Sequence, residues 1–306
     1  MLQLRELNRR ALSELTRQAP LPRAALGGAE LESLTDRLVT ELRDTRHRLA
    51  RRHGPATWLR ERFDRTLRTP ALERLDRDDV SDQRKVGIVE ALHGLNDLIC
   101  SYDRFLGAME PMVRRINREQ GRPARVLELA TGAGEFSLRC PEAAQRRGLA
   151  IEITGSDIVP AYVEKANAEA ARRRVDVRFE VRNAFALDVP RGRYDLCFIG
   201  QSMHHFSAGQ LALMMAQARR VCTTGFVGVD GLRSLLLLST IPAYSLLFGS
   251  PNRLDFAHDA LLSTRKFFSE PELELIARVA VPDGRATVRS SHPGYTVIHV
   301  DFEGAA

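Results

Sequence analysis

Two rhythms divide the chain. Up to about residue 120 apolar side chains recur every three or four positions; beyond it, short apolar runs alternate with amphipathic stretches. In the first part Leu31, Leu34, Leu38, Leu42 and Leu49 keep helical spacing, with Gly54 as a stop, and Trp58, Phe63 and Leu67 continue the pattern as far as Pro70. After Ser81 a second helical block places Val86, Val89, Leu92, Leu95 and Ile99 on one face, and a third over 101–118 carries Tyr102, Phe105, Leu106, Met109 and Met112. NREQGRPAR, 117–125, reads as a linker. From there strands and helices alternate. RVLELA leads to a helix over 135–148, AIEITGSD to a helix over 160–173, and VDVRFEVRN to a short connection. YDLCFIG leads to the helix AGQLALMMAQARRV, and GFVGVD to a leucine-rich helical stretch over 232–262. The helix EPELELIARVA and the strands ATVRSS and YTVIHVDF follow. Repeated βα units predict an α/β fold, a mostly parallel sheet with helices on both faces and ligands at the carboxyl ends of its strands.

Composition narrows the class. The 306 residues are 44% hydrophobic and 27% charged, as in a soluble globular protein. The net charge of +6 arises in the first seventy residues, where fifteen arginines face nine acids; solvated helix faces are the expected home of these charges. Four cysteines stand far apart without a CxxC pair, which speaks against a zinc site or a disulfide framework and suits a reducing, cytoplasmic setting. Arginines among the first leucines prevent a signal-peptide core. The longest greasy stretch, 235–248, contains Pro242 and is too short to span a bilayer.

The candidate chemistry lies in RVLELATGAGEFSL. A strand interrupted by one carboxylate, Glu128, runs into Gly132 and Gly134 and then a helix start. Dinucleotide folds place G-x-G-x-x-G here, but the third glycine position is Ser137. Pyrophosphate needs bare N–H groups. Glu128 and Glu135 would repel it, and would favour a cation such as the ammonium and sulfonium of S-adenosylmethionine. The motif VLELATGAG resembles the first motif of the class I S-adenosylmethionine-dependent methyltransferases, with Ala130 at the usual first glycine. The resemblance covers 125 to about 230. It implies a Rossmann-like seven-stranded class I methyltransferase sheet with an all-helical N-terminal extension, and S-adenosylmethionine as cofactor. It further implies that Glu128, Ala130, Thr131, Gly132 and Gly134 form the donor turn. Asp157 would bind the ribose hydroxyls, Ile158 would pack on adenine, Asn183 and Ala184 would read the adenine amino group, and Gln201 and Ser202 would face the methyl donor.

The sulfonium is already activated, so no metal is expected, and alignment of an in-line displacement supplies most of the catalysis. What remains is the acceptor's proton. His204 and His205, just past the fourth strand, are the candidate general bases; for a phenol the transfer is uphill by roughly 5 kcal/mol if complete, and tolerable if concerted. The segments around SMHHFS and after the fifth strand are similar to bacterial small-molecule and polyketide methyltransferases. This implies a hydroxyl acceptor on a phenolic or polyketide-type natural product. Acceptor contacts are expected from Tyr102, Asp230, Arg233 and His258, and Phe248 lies in the same covering region. The expected division is a helical domain over 1–120, shaping the acceptor pocket or a homodimer interface, and a catalytic domain over 121–306 with a lid insertion at about 232–263. The alternatives are an RNA methyltransferase gripping phosphates with its arginine-rich helices, for which no RNA-binding module or N-P-P-Y motif is present, and a non-catalytic cofactor-binding or dimerisation module. A nicotinamide-dependent oxidoreductase is disfavoured by the missing glycine and the two glutamates.

Overall fold

The computed structural model describes residues 4–18, 20–22, 24–248 and 253–302, without the side chains of 82, 242, 245–248 and 253. Five helices come first: α1 (Arg5–Gln18), α2 (Gly28–Arg52), α3 (Pro55–Leu67), α4 (Asp82–Leu98) and α5 (Ser101–Gln120). Gly54, read as a stop, lies with His53 between α2 and α3, and its φ of 92° makes the sharp turn that a side chain would resist. Asn117 and its neighbours, read as linker, are the last turn of α5. Gly121, Arg122 and Pro123 alone separate that helix from the first strand, so the true connection is much shorter.

The remaining elements are β1 (Ala124–Glu128), α6 (Glu135–Arg146), β2 (Ile151–Asp157), α7 (Pro160–Arg173), β3 (Arg178–Val181), β4 (Tyr194–Gly200), α8 (Ala208–Val221), β5 (Cys222–Gly231), α9 (Leu235–Phe248), α10 (Arg253–Lys266), α11 (Glu270–Ala280), β6 (Arg285–Ser291) and β7 (Tyr295–Asp301). They form one seven-stranded sheet in the order β3-β2-β1-β4-β5-β7-β6, parallel except for β7, which runs antiparallel to β5 and β6. The predicted Rossmann-like, seven-stranded class I architecture with helices before it is what the chain adopts.

Strand alternation decides which helix packs where. Val126, Leu196, Phe198, Val227 and Val297 point to one face and pack with α5, α6 and α7. Leu127, Leu129, Cys197, Ile199, Phe226, Ile298 and Val300 point to the other and pack with α1, α2, α8 and α11. The early helices are thus divided between the two faces. On the second face Asp36 of α2 caps α8, accepting from Gly209 N at 2.8 Å, and a Cβ on Gly209 would stand 2.4 Å from the carbonyl oxygen of Glu32.

The arginines of the first seventy residues are not simply solvated. Arg46 is buried and pairs with Asp64 (2.7 Å) and Glu61, and Arg43 and Arg68 both reach the buried Glu272 of α11 at 2.7 Å. Spacing on a helix cannot show this, because the acids belong to α3 and α11. Among the described residues, no helix is long and apolar enough to cross a membrane.

Candidate active site

The donor turn follows β1. Glu128 ends the strand on the face of α6, a carboxylate at an otherwise apolar position. It is buried and accepts hydrogen bonds at one oxygen from Thr131 Oγ1 (2.7 Å) and Ser137 Oγ (2.5 Å). Burial pushes its carboxyl up to about 7; the two hydroxyls counter this in part, and the nearby Asp157 adds to it. Among the described residues, it has no ion pair. Ala130, at the usual glycine position, adopts a left-handed φ of 51°, which costs an L-residue about 1–2 kcal/mol. Gly132 (φ 56°) needs the same freedom, and a Cβ on it would project into open space. Gly134 (φ 80°) cannot carry a side chain at all, because the Phe179 ring lies 2.4 Å from where a Cβ would be. Open space where a Cβ on Gly132 would stand, and a buried carboxylate without a counter-cation among the described residues, together fit the aminoacyl end of S-adenosylmethionine. The positive group belongs at Glu128, and the bare turn lets the ligand approach.

Asp157 ends β2. Its Oδ2 accepts from Gly132 N at 2.9 Å and its Oδ1 from Val159 N at 3.0 Å, so it fixes the glycine turn while keeping lone pairs for a diol. Ile158 is 58% exposed, and Val181, the register partner of Asp157 on β3, is 53% exposed; these two apolar side chains border the place assigned to adenine. Asn183 is exposed beyond β3, but its Oδ1 already accepts from Phe185 N at 2.9 Å, which leaves one lone pair to read an amino group; Ala184 beside it is half-buried. Gln201 directly follows β4 with φ 53°, and its side-chain amide pairs in both directions with Asn96 of α4, at 2.8 and 3.0 Å. Ser202 turns its hydroxyl to Gly200 O.

Glu135 differs from expectation. It binds Arg139 (2.5 Å) and Arg173 (2.9 Å), which overcome its partial burial and hold its carboxyl below the usual range. Its charge is neutralised within the protein, so Glu128 and Asp157 carry the negative lining of the cleft.

A second group lies past β4 and β5. His204 is buried in the turn Met203–His205, and Asp230, at the end of β5, receives both its backbone N–H (2.9 Å) and its Nδ1 (2.9 Å). Asp230, expected to touch the acceptor, is therefore spent on orienting His204. His205 stacks on His204 with ring centroids 4.3 Å apart, and its Nδ1 lies 3.1 Å from Asp76 Oδ2. Burial alone would lower the pKa of His205; Asp76 and Glu73 override it and raise it. Glu73, Asp76 and Lys266 complete the group, with Lys266 Nζ 3.2 Å from Glu73 Oε1.

The other acceptor candidates scatter. Arg233 is 1% exposed, and its guanidinium binds Asp64 Oδ1 (2.7 Å), Asp64 O (3.0 Å) and Arg265 O (2.6 Å). It ties the segment after β5 to α3 and has no access to an acceptor. Tyr102 gives its hydroxyl to His93 Nδ1 at 2.6 Å under the guanidinium of Arg139. His258 is exposed on α10 and paired with Asp259 at 3.1 Å, and the side chain of Phe248 lies outside the described residues. Sequence reading missed Glu73, Asp76, Lys266 and Asn96. The first two lie around the short turn Arg74–Asp76, where no periodicity marks burial.

Comparison with known proteins agrees with the geometry. Residues 126–225 match a family model described as a methyltransferase domain. A demethylmenaquinone methyltransferase of Deinococcus radiodurans is 34% identical over 136 residues, 44% of this chain and 51% of that protein. One from Thermus thermophilus is 34% identical over 91 residues, 30% of this chain and 40% of its own length. The chain thus spans about half or less of the curated relatives it matches. Among solved structures, the plantazolicin methyltransferase BpumL in complex with SAH superposes with a TM-score of 0.52 at 13% identity, covering 72% of this chain and 91% of that one; at such identity the likeness is one of fold. BamL, a second plantazolicin methyltransferase, gives 0.51 at 14% identity over 70% of this chain and 90% of its own. Sheet order, glycine turn and family match together identify the chain as carrying a class I S-adenosylmethionine-dependent methyltransferase domain.

Proposed function

We propose that the protein transfers a methyl group from S-adenosylmethionine to a small hydroxyaromatic acceptor. The observation that carries this is Glu128, a buried carboxylate without an ion pair among the described residues, at the foot of a turn where Gly132 leaves open space in place of a side chain. S-adenosylmethionine supplies the activated methyl when bound. Glu128 and the turn would hold its aminoacyl end, Asp157 its ribose, Ile158 and Asn183 its adenine, and Gln201 and Ser202 would line the methyl side.

The acceptor belongs beside His204 and His205, three and four residues past Gln201. In the centre as it stands, Asp230 fixes the His204 ring through Nδ1, and His204 Nε2 is the lone pair that takes the acceptor's proton. Removal of that proton makes a hydroxyaromatic ring nucleophilic at its oxygen and at the adjacent ring carbon. An O-methyl product and the ring methylation suggested by the names of the relatives thus share one activation step. Isotope-labelled donor should be offered with phenols, hydroquinones, carboxylic acids and amines, and the products assigned by NMR. Label on the oxygen or adjacent carbon of a hydroxyaromatic is the expected result. Donor binding without turnover on any of them would favour a non-catalytic module.

A further inference from the structure

The geometry points to a divalent metal site formed by Glu73, His204 and His205, with Zn²⁺ as the best-fitting ion. One ligand atom from each residue can be chosen so that all lie within 4.8 Å of one another. Glu73 Oε1 is 3.6 Å from His204 Nε2, and Glu73 Oε2 is 4.0 Å from His205 Nε2. Both separations exceed hydrogen-bond reach. They suit an ion in between, since ligand atoms about 2.0–2.2 Å from a tetrahedral centre lie roughly 3.4 Å apart.

The surroundings are those of a metal centre. His204 Nδ1 is held by Asp230 at 2.9 Å and His205 Nδ1 by Asp76 at 3.1 Å. A carboxylate on Nδ1 fixes the ring and leaves Nε2 as the lone pair for a metal, here twice over. Three carboxylates, Glu73, Asp76 and Asp230, surround the rings with one ammonium, Lys266. With neutral imidazoles the group is short of two positive charges, the charge of one divalent ion, at a place where Glu73 is 2% exposed. Two imidazoles and one carboxylate select Zn²⁺ or a neighbouring transition ion over Mg²⁺ or Ca²⁺. Lys266 shares Glu73 and competes with the ion.

What the ion does rests on the methyl-transfer reading; that it binds does not. Its open position would take the acceptor's oxygen. The O–H bond breaks and the proton leaves to water. The S–CH₃ bond then breaks as the methyl bonds to that oxygen or to the adjacent ring carbon, which in that case passes its own proton to water, and S-adenosylhomocysteine departs. With the ion bound both Nε2 lone pairs are committed, so coordination replaces His204 as the means of ionising the hydroxyl.

The full chain, stripped with EDTA, should be titrated calorimetrically with ZnCl₂ and separately with S-adenosylhomocysteine. One equivalent of Zn²⁺ is expected to bind. Glu73→Gln and the double variant His204→Ala/His205→Ala should each weaken it at least tenfold, and Asp76→Asn about tenfold. Lys266→Met should tighten it, and His53→Ala, an exposed control, should leave it unchanged. Absence of Zn²⁺ binding by the wild type, or undiminished binding by a double variant that still binds S-adenosylhomocysteine, overturns the site. Zn²⁺ bound by a wild type that ignores S-adenosylhomocysteine supports the site while removing the methyl-transfer reading.

Discussion

Glu128 gathers the chemistry of the donor cleft into one side chain. Burial raises its carboxyl from 4.5 to about 7, so the folded chain holds this proton more tightly than the unfolded chain does. Ionising it therefore costs stability progressively from pH about 4.5 to about 7, and the cost is constant above that. Glu128→Gln removes the cost: thermal unfolding without ligand should shift upward by about 1–3 kcal/mol at pH about 8 and stay unchanged near pH 4. The same variant should lose most affinity for S-adenosylhomocysteine, because the ligand's ammonium no longer meets a carboxylate. In the wild type, a cation at Glu128 favours ionisation, so affinity measured across pH about 6 to 8 should rise and then level off. Flat affinity over that range would separate Glu128 from the cationic end of the ligand. Ala130 and Gln201 both hold left-handed backbone in the same cleft, and strain of this kind concentrates where a ligand is gripped.

At the scale of elements, two links hold the cleft in place. Arg233 binds the segment after β5 to Asp64 of α3, and Arg46 binds the other oxygen of the same carboxylate. Arg233→Met should destabilise folding by about 3–5 kcal/mol in urea titration, the cost of breaking a buried pair, with ligand affinity of the folded fraction unchanged. The Asn96–Gln201 amide pair holds α4 across the end of β4. Asn96→Ala should speed dissociation of S-adenosylhomocysteine in stopped-flow measurements several-fold, since the covering helix and the Gln201 amide both lose their partner. Much of this scale was legible in the sequence. Short apolar runs such as YDLCFIG and GFVGVD, each followed by helical spacing, gave the elements and the sheet covered by helices on both faces, and Glu128, Gly132, Gly134 and Asp157 were placed from one strand end to the next. The illegible parts depend on contacts between distant segments. Arg233 and Asp64 are separated by 168 intervening residues, and neither has a local reason to be buried. Glu135 looked like cleft charge because Arg173, which helps neutralise it, comes from α7.

At the scale of the molecule, helices on both sides of the chain's midpoint share their cores. Leu31, Leu38 and Leu42 of α2 lie in one apolar cluster with Leu211 and Met215 of α8 and Leu275 of α11. Phe105 and Met109 of α5 pack in the other with Phe136 and Phe198. Shared cores melt together, so calorimetry should show one unfolding transition, and Gly209→Ala should lower its midpoint by the equivalent of about 1–3 kcal/mol, because the Glu32 carbonyl cannot yield to a new Cβ. Two separate transitions would mean that the early helices fold as a unit of their own. One helical layer presses each face, and α4 bounds the cleft at the end of β4. What enters there is decided by charge, a buried carboxylate and an aspartate against a bare turn. The most direct test is isothermal titration of the full chain with S-adenosylhomocysteine and, in parallel, with NAD. Binding of the thioether nucleoside at micromolar concentration with no response to NAD is the expected result, and binding of NAD with no response to S-adenosylhomocysteine would contradict it.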